Sequence, residues 1–132
     1  MNEKQIENQI LAYLSKRGIF SFKVQSTGMY DPRKKLFRKS NNPYHINGVS
    51  DILGVMEGRM IAIEVKRPYI SKKTGKIKHK TQEELRKMAS DDQIAFLNKV
   101  EANGGVSFIA DSLEVLEEQL LLVASKLRNF SL

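Results

Sequence analysis

Between Gly48 and Pro68 the chain reads GVSDILGVMEGRMIAIEVKRP. Two apolar runs, Ile52 to Met56 and Met60 to Val65, flank Glu57-Gly58, a pair suited to a tight turn. The pattern predicts an antiparallel hairpin, and a two-residue turn fixes its register. Met56 falls opposite Arg59 and Val55 opposite Met60; continued outward, Asp51 falls opposite Glu64. Directly opposed Cβ atoms in such a pair lie roughly 4.5–5.5 Å apart. Two carboxylates that close repel unless something positive sits between them. Lys66, two residues past Glu64, lies on the same face of its strand. One patch of the hairpin thus gathers two acids and an amine.

That combination suits a divalent cation. Mg²⁺ takes oxygen ligands, commonly one or two carboxylates, with water and substrate phosphate completing its shell. A bound metal lowers the pKa of its water and clamps phosphate oxygens, and a neighbouring lysine positions or deprotonates the attacking water. The plain alternative is a solvated Glu–Lys pair on an exposed strand, because an E-x-K triplet arises by chance about once in a chain this long and charged. The opposed Asp51 and the strand–turn–strand setting favour the cation.

Asp51 followed by Glu64-Val65-Lys66 on the next strand resembles the PD-(D/E)XK nuclease signature, with Ser50 in place of the proline. More narrowly, G-V-S-D-I-L-G, then I-E-V-K, then Asp92-Gln93 before an apolar helix is similar to the VRR-NUC (virus-type replication-repair nuclease) branch. The resemblance spans nearly the whole chain. It implies a restriction-endonuclease-like αβββαβ core, an α/β fold with a mixed central sheet flanked by helices. It also implies a Mg²⁺- or Mn²⁺-dependent, structure-selective DNA endonuclease, with branched DNA such as four-way (Holliday) junctions the leading substrate. Asp51 and Glu64 would hold the metal with the Val65 carbonyl, Lys66 would activate water and Gln93 would assist. Many members carry a further metal-binding glutamate on the first helix, about eleven residues before a glycine; Glu7 to Gly18 has that spacing, and Glu3 is the competitor.

A chain of 132 residues makes one compact domain, 1–132. Having no cysteine, it has neither disulfides nor Cys-ligated zinc, which fits a reducing, intracellular (cytoplasmic) setting alongside DNA. No apolar run approaches the roughly 18 residues of a membrane span, and the polar start MNEKQIENQ does not read as a signal peptide. The net charge of +7 is concentrated in two clusters. Lys16 to Lys39 holds eight basic residues against Asp31 alone; Lys66 to Lys87 holds nine against Glu83 and Glu84. A cationic rim beside a carboxylate pair suits phosphate backbones. The expected DNA contacts are Arg33, Lys34, Lys35, Arg38, Lys39, Arg67, Lys72, Lys73, Lys76 and Lys78.

In order, 3–17 reads as an amphipathic helix through Ile6, Ile10, Tyr13 and Leu14, ended by Gly18. Residues 19–25 alternate as a half-buried strand. Ser26 to Asn47 reads as a long loop mixing basic residues with Tyr30, Phe37 and Tyr44, suited to a flap over DNA. His45, with only His79 for company, makes no zinc site. Ser71 to Lys80 reads as a lysine loop that DNA orders. Thr81 with Glu84, and Ser90 with Gln93, form capping boxes that open two helices; Gln93 is thus a candidate cap as well as a candidate site residue. Gly104-Gly105 stops the second of these, 106–110 is a buried strand, and Asp111 or Ser112 caps a last helix. Leu121 and Leu122 widen the apolar face of that helix, either in a deep core or as a homodimer contact. A non-catalytic DNA-binding module is the alternative to the nuclease; the joint presence of Asp51, Glu64 and Lys66 argues for catalysis.

Overall fold

The computed structural model describes residues 2–24, 29–31, 36–38, 43–44, 46–78 and 80–130, with backbone alone at 29–31, 36–38 and 126–130. Helix α1 (Glu3–Lys16) opens on a capping box: the Asn2 side chain accepts from the Gln5 amide, and the Gln5 side chain accepts from the Asn2 amide. Its buried stripe is Ile6, Ile10 and Leu14. Strand β1 (Phe20–Lys23) follows, then a small antiparallel pair, β2 (Met29–Asp31) and β3 (Leu36–Arg38). The segment expected to be all loop therefore contains a hairpin.

The central hairpin has the register that the turn dictates. β4 (Ile52–Met56) pairs with β5 (Arg59–Val65) from Met56 opposite Arg59 to Ile52 opposite Ile63. Glu57 and Gly58 both take positive φ, 51° and 76°. That is the turn whose twist matches the strands, and glycine adopts its second position without strain. Next comes a second departure from expectation. The lysine segment Ser71 to Lys80 contains β7 (Ile77–Lys78), which pairs antiparallel with β6 (Tyr69–Ile70) just before it. Both β6–β7 and β2–β3 are too short to show a strand period in sequence.

Helix α2 (Gln82–Met88) starts at the Thr81–Glu84 capping box and α3 (Asp91–Ala102) at the Ser90–Gln93 box. β8 (Val106–Ala110) returns parallel to β5, giving a four-stranded sheet in the order β1-β4-β5-β8. The sheet is mixed, with only the β5–β8 pair parallel. The side chain of Gln82 donates to the Ile109 carbonyl (2.6 Å) and accepts from the Ile109 amide (2.9 Å), closing the outer edge of β8. Helix α4 (Leu113–Phe130) ends the chain; Ser112 is its cap, its hydroxyl accepting from the Val115 amide at 3.2 Å.

Helices lie on both faces of the sheet. Ile6, Ile10 and Leu14 of α1 and Leu116 and Leu120 of α4 pack on Ile52, Ile61, Ile63 and Val65. Leu85 of α2 and Phe96, Leu97 and Val100 of α3 pack on Ala62 and Ile109 of the other face. Leu121 and Leu122 are exposed, so the core does not account for them. Among the described residues no helix is long and apolar enough to cross a membrane.

Candidate functional site

Strand parity decides what meets at the end of the hairpin. Ile52, Ile63 and Val65 point to the α1/α4 face, so Asp51 and Glu64 belong to the α2/α3 face. They are the next opposed positions beyond the Ile52–Ile63 pair. The Asp51 carbonyl accepts from the Val24 amide (2.8 Å), which ties it to the end of β1. Its side-chain Oδ2 accepts from the Val65 amide at 2.8 Å. Val65 thus enters the site through its N–H, which holds the aspartate in place.

Glu64 is only 3% exposed. Its Oε1 accepts from Gln93 Nε2 at 2.8 Å and lies 4.0 Å from Lys66 Nζ. Its Oε2 is buried and receives no hydrogen bond. Burial pushes the Glu64 carboxyl from 4.5 up to about 8, and the neighbouring Asp51 carboxylate pushes the same way. Lys66 pulls it down, and Glu3 adds a further upward push. Burial and the adjacent acid thus favour the protonated form of the Glu64 carboxyl at neutral pH.

Gln93 caps α3 and also reaches the Glu64 and Lys66 side chains. Its Oε1 accepts from the Ser90 amide (2.9 Å), completing the α3 cap, and from Lys66 Nζ (3.1 Å). Its Nε2 holds Glu64. One amide therefore links the start of α3, the lysine and the acid. Gly48 sets the distance between α3 and the hairpin. It has φ +76°, and a Cβ there would lie 2.4 Å from the Asp92 carbonyl carbon and 2.6 Å from the Gln93 nitrogen. Sequence reasoning alone does not single out Gly48; a glycine three residues before Asp51 is the one signal it offers.

The structure does not gather Glu7 into this group. Glu7 is buried on α1 and paired with Lys23 at 3.5 Å. Lys23 sits opposite Ile52, on the α1 face, whereas Asp51 and Glu64 occupy the other. Among the described residues, no three His, Asp or Glu side chains cluster as metal ligands. The carboxylates that meet here are Asp51 and Glu64, and of the α1 acids it is Glu3 whose charge bears on Glu64. Two acids, one with a buried oxygen lacking any donor, fit a hard divalent cation of the Mg²⁺ type, which needs only one or two carboxylates from protein.

Arg67, Lys72, Lys73, Lys76 and Lys78 are exposed on and before the β6–β7 hairpin. Arg38 ends β3, while Arg33, Lys34, Lys35, Lys39, His45 and His79 lie outside the described residues. Asp111, a candidate cap by sequence, is buried with both carboxylate oxygens unpartnered. It follows Ala110, the partner of Val65, at the sheet end where Lys66 stands. Ser50 is also buried with an unpartnered hydroxyl, and we have no physical account of either. No protein-family model matches this sequence, and no curated protein matches it significantly.

Proposed function

We propose that the chain is a metal-dependent DNA endonuclease of the PD-(D/E)XK type, resembling the VRR-NUC branch. The observation that carries this reading is the buried Glu64 carboxyl opposed by the half-buried Asp51, with Lys66 and Gln93 at its side. A buried carboxyl whose pKa is pushed to about 8 by burial and by a neighbouring acid costs a metal-free domain stability at neutral pH. Such an arrangement is expected where a cation displaces the proton. The exposed lysines beyond β5 and the +7 net charge support a polyanionic substrate.

Asp51 and Glu64 would hold Mg²⁺ or Mn²⁺. Bound there, the ion supplies positive charge to phosphate oxygens and lowers the pKa of coordinated water. The chain's own groups do the positioning. The Val65 amide fixes one Asp51 oxygen, and Gln93 fixes one Glu64 oxygen. Lys66 Nζ, steered by Gln93 Oε1, orients the water that attacks phosphorus in line. Lys72, Lys73, Lys76 and Lys78 neutralise neighbouring phosphates. Branched DNA is the proposed substrate, cut by a homodimer that supplies two sites; the exposed Leu121 and Leu122 support a second copy.

Labelled linear, flapped, splayed and four-way DNA, each incubated with Mg²⁺, Mn²⁺ or EDTA, test this reading. Cleavage of branched forms is expected with metal alone, with Lys66→Ala slower by about a hundredfold or more. Binding without cleavage under every condition would favour the non-catalytic module.

A further inference from the structure

The α2/α3 face of the sheet is covered only in part. Leu85, Phe96, Leu97 and Val100 lie over Ala62 and Ile109, the β5 and β8 half. On the β1 and β4 half Leu53 packs against the edge of this cluster, and the rest is open. Phe20 sits opposite Val55, and Val55 opposite Met60; Phe22 sits opposite Leu53, and Leu53 opposite Ala62. Opposed side chains share a face, so these form two rows beside the Asp51–Glu64 row. Phe20 is 67% exposed, Phe22 46%, Val55 48% and Met60 42%. The two rings are 5.8 Å apart at their centroids and tilted by 50°. The pattern of 19–25 predicts a half-buried strand; instead it presents its aromatic side to solvent.

A contiguous patch of two phenylalanines, a valine and a methionine on a small domain calls for an occupant. Its position selects one. Phe22 lies one strand over and two residues along from Asp51, about 8 Å by strand geometry. A nucleotide whose phosphate reaches the acid pair would bring its base, or the next one, onto these rings. The net charge of +7, with Lys66 on this same face, draws the phosphates in. Bases inside a duplex have both faces taken by their neighbours, whereas unpaired bases offer theirs to aromatic side chains.

We infer that Phe20 and Phe22 form a stacking platform for unpaired bases beside the Asp51–Glu64 site, where a bound cation would face the neighbouring phosphate, so the substrate carries unpaired nucleotides at the cut. This rests on the nuclease reading and specifies its substrate. The rival occupant of the patch is a second copy of this chain.

The test uses the full chain in EDTA, so that nothing is cut. Binding is measured to a forked DNA with single-stranded arms, to the same fork with abasic sites at the two arm positions nearest the branch, and to a matched duplex. Wild type should bind the abasic fork at least about tenfold more weakly, at the lower end of stacking contributions. Phe20→Ala/Phe22→Ala should lose that discrimination while keeping its duplex affinity. The chain has no tryptophan, so Phe22→Trp is a single reporter that keeps the ring. Its emission should be quenched by the fork and not by the abasic fork. Equal wild-type affinity for both forks, or quenching that ignores the abasic sites, overturns the platform but leaves the nuclease reading standing. A double variant that turns a sedimenting dimer into a monomer, with discrimination unchanged, assigns the patch to self-association. If wild type holds none of the three DNAs, the platform and the nuclease reading fall together.

Discussion

Glu64→Gln is expected to stabilise the metal-free protein above pH 6. In the folded chain the Glu64 carboxyl titrates near 8, against 4.5 unperturbed. The folded state therefore holds this proton more tightly than the unfolded state. Stability from the group is full below pH 4.5 and is lost as pH rises through about 8. The whole shift corresponds to about 5 kcal/mol, of which about 3–4 kcal/mol is lost between pH 5 and pH 8. At a few degrees per kcal/mol for a chain this size, Tm should fall by about 10 °C more in wild type than in the variant over that range. Glutamine keeps the shape and an oxygen for Gln93 but has no charge to desolvate. The assay is thermal denaturation followed by circular dichroism in EDTA, from pH 5 to 8.5, for both proteins. Saturating Mn²⁺ should recover the wild-type loss and leave the variant unmoved. Parallel Tm–pH curves in EDTA would refute the argument that burial and Asp51 hold this proton in place.

Three further outcomes follow from the same structure. Gly48→Ala should lose roughly 2 kcal/mol or more by urea denaturation, because it meets the Asp92–Gln93 peptide at a positive φ. Gly58→Ala has the same φ in open space and should lose only about 1 kcal/mol. Neutralising Lys72, Lys73, Lys76 and Lys78 together should weaken binding to all DNA forms and flatten its salt dependence, by roughly 0.9 in log–log slope per lost phosphate contact; an unchanged slope removes the β6–β7 hairpin from the interface. Wild type should sediment as a dimer and Leu121→Glu as a folded monomer, since Leu121 is exposed; a wild-type monomer at tens of micromolar, with and without branched DNA, ends the dimer proposal.

The parts of the fold that are legible in sequence are those that a few neighbouring residues decide. Glu57-Gly58 sets the register of β4 and β5 by counting, so the opposition of Asp51 and Glu64 follows from the residue order alone. Thr81–Glu84 and Ser90–Gln93 mark α2 and α3 because a capping box is complete within four residues. What escapes depends on the rest of the chain. Alternation in 20–23 shows two faces without showing which one the helices cover, so the exposure of Phe20 and Phe22 is not legible there. Glu7 has a helical position that suits several partners; the side of the sheet on which Lys23 falls decides among them. The constraint on Gly48 comes from α3, more than forty residues away in the chain. Gln93 resists a single assignment because one amide caps the helix and holds the acid.

In the proposed reading Asp51 and Glu64 hold a divalent cation beside Lys66. Calorimetric titration of Mn²⁺ into wild type, Asp51→Asn and Lys66→Ala tests it most directly. Stoichiometric binding is expected for wild type and Lys66→Ala, with a proton released on binding at pH 7, and loss of tight binding for Asp51→Asn while its affinity for DNA persists. An Asp51→Asn isotherm matching that of wild type would contradict the account.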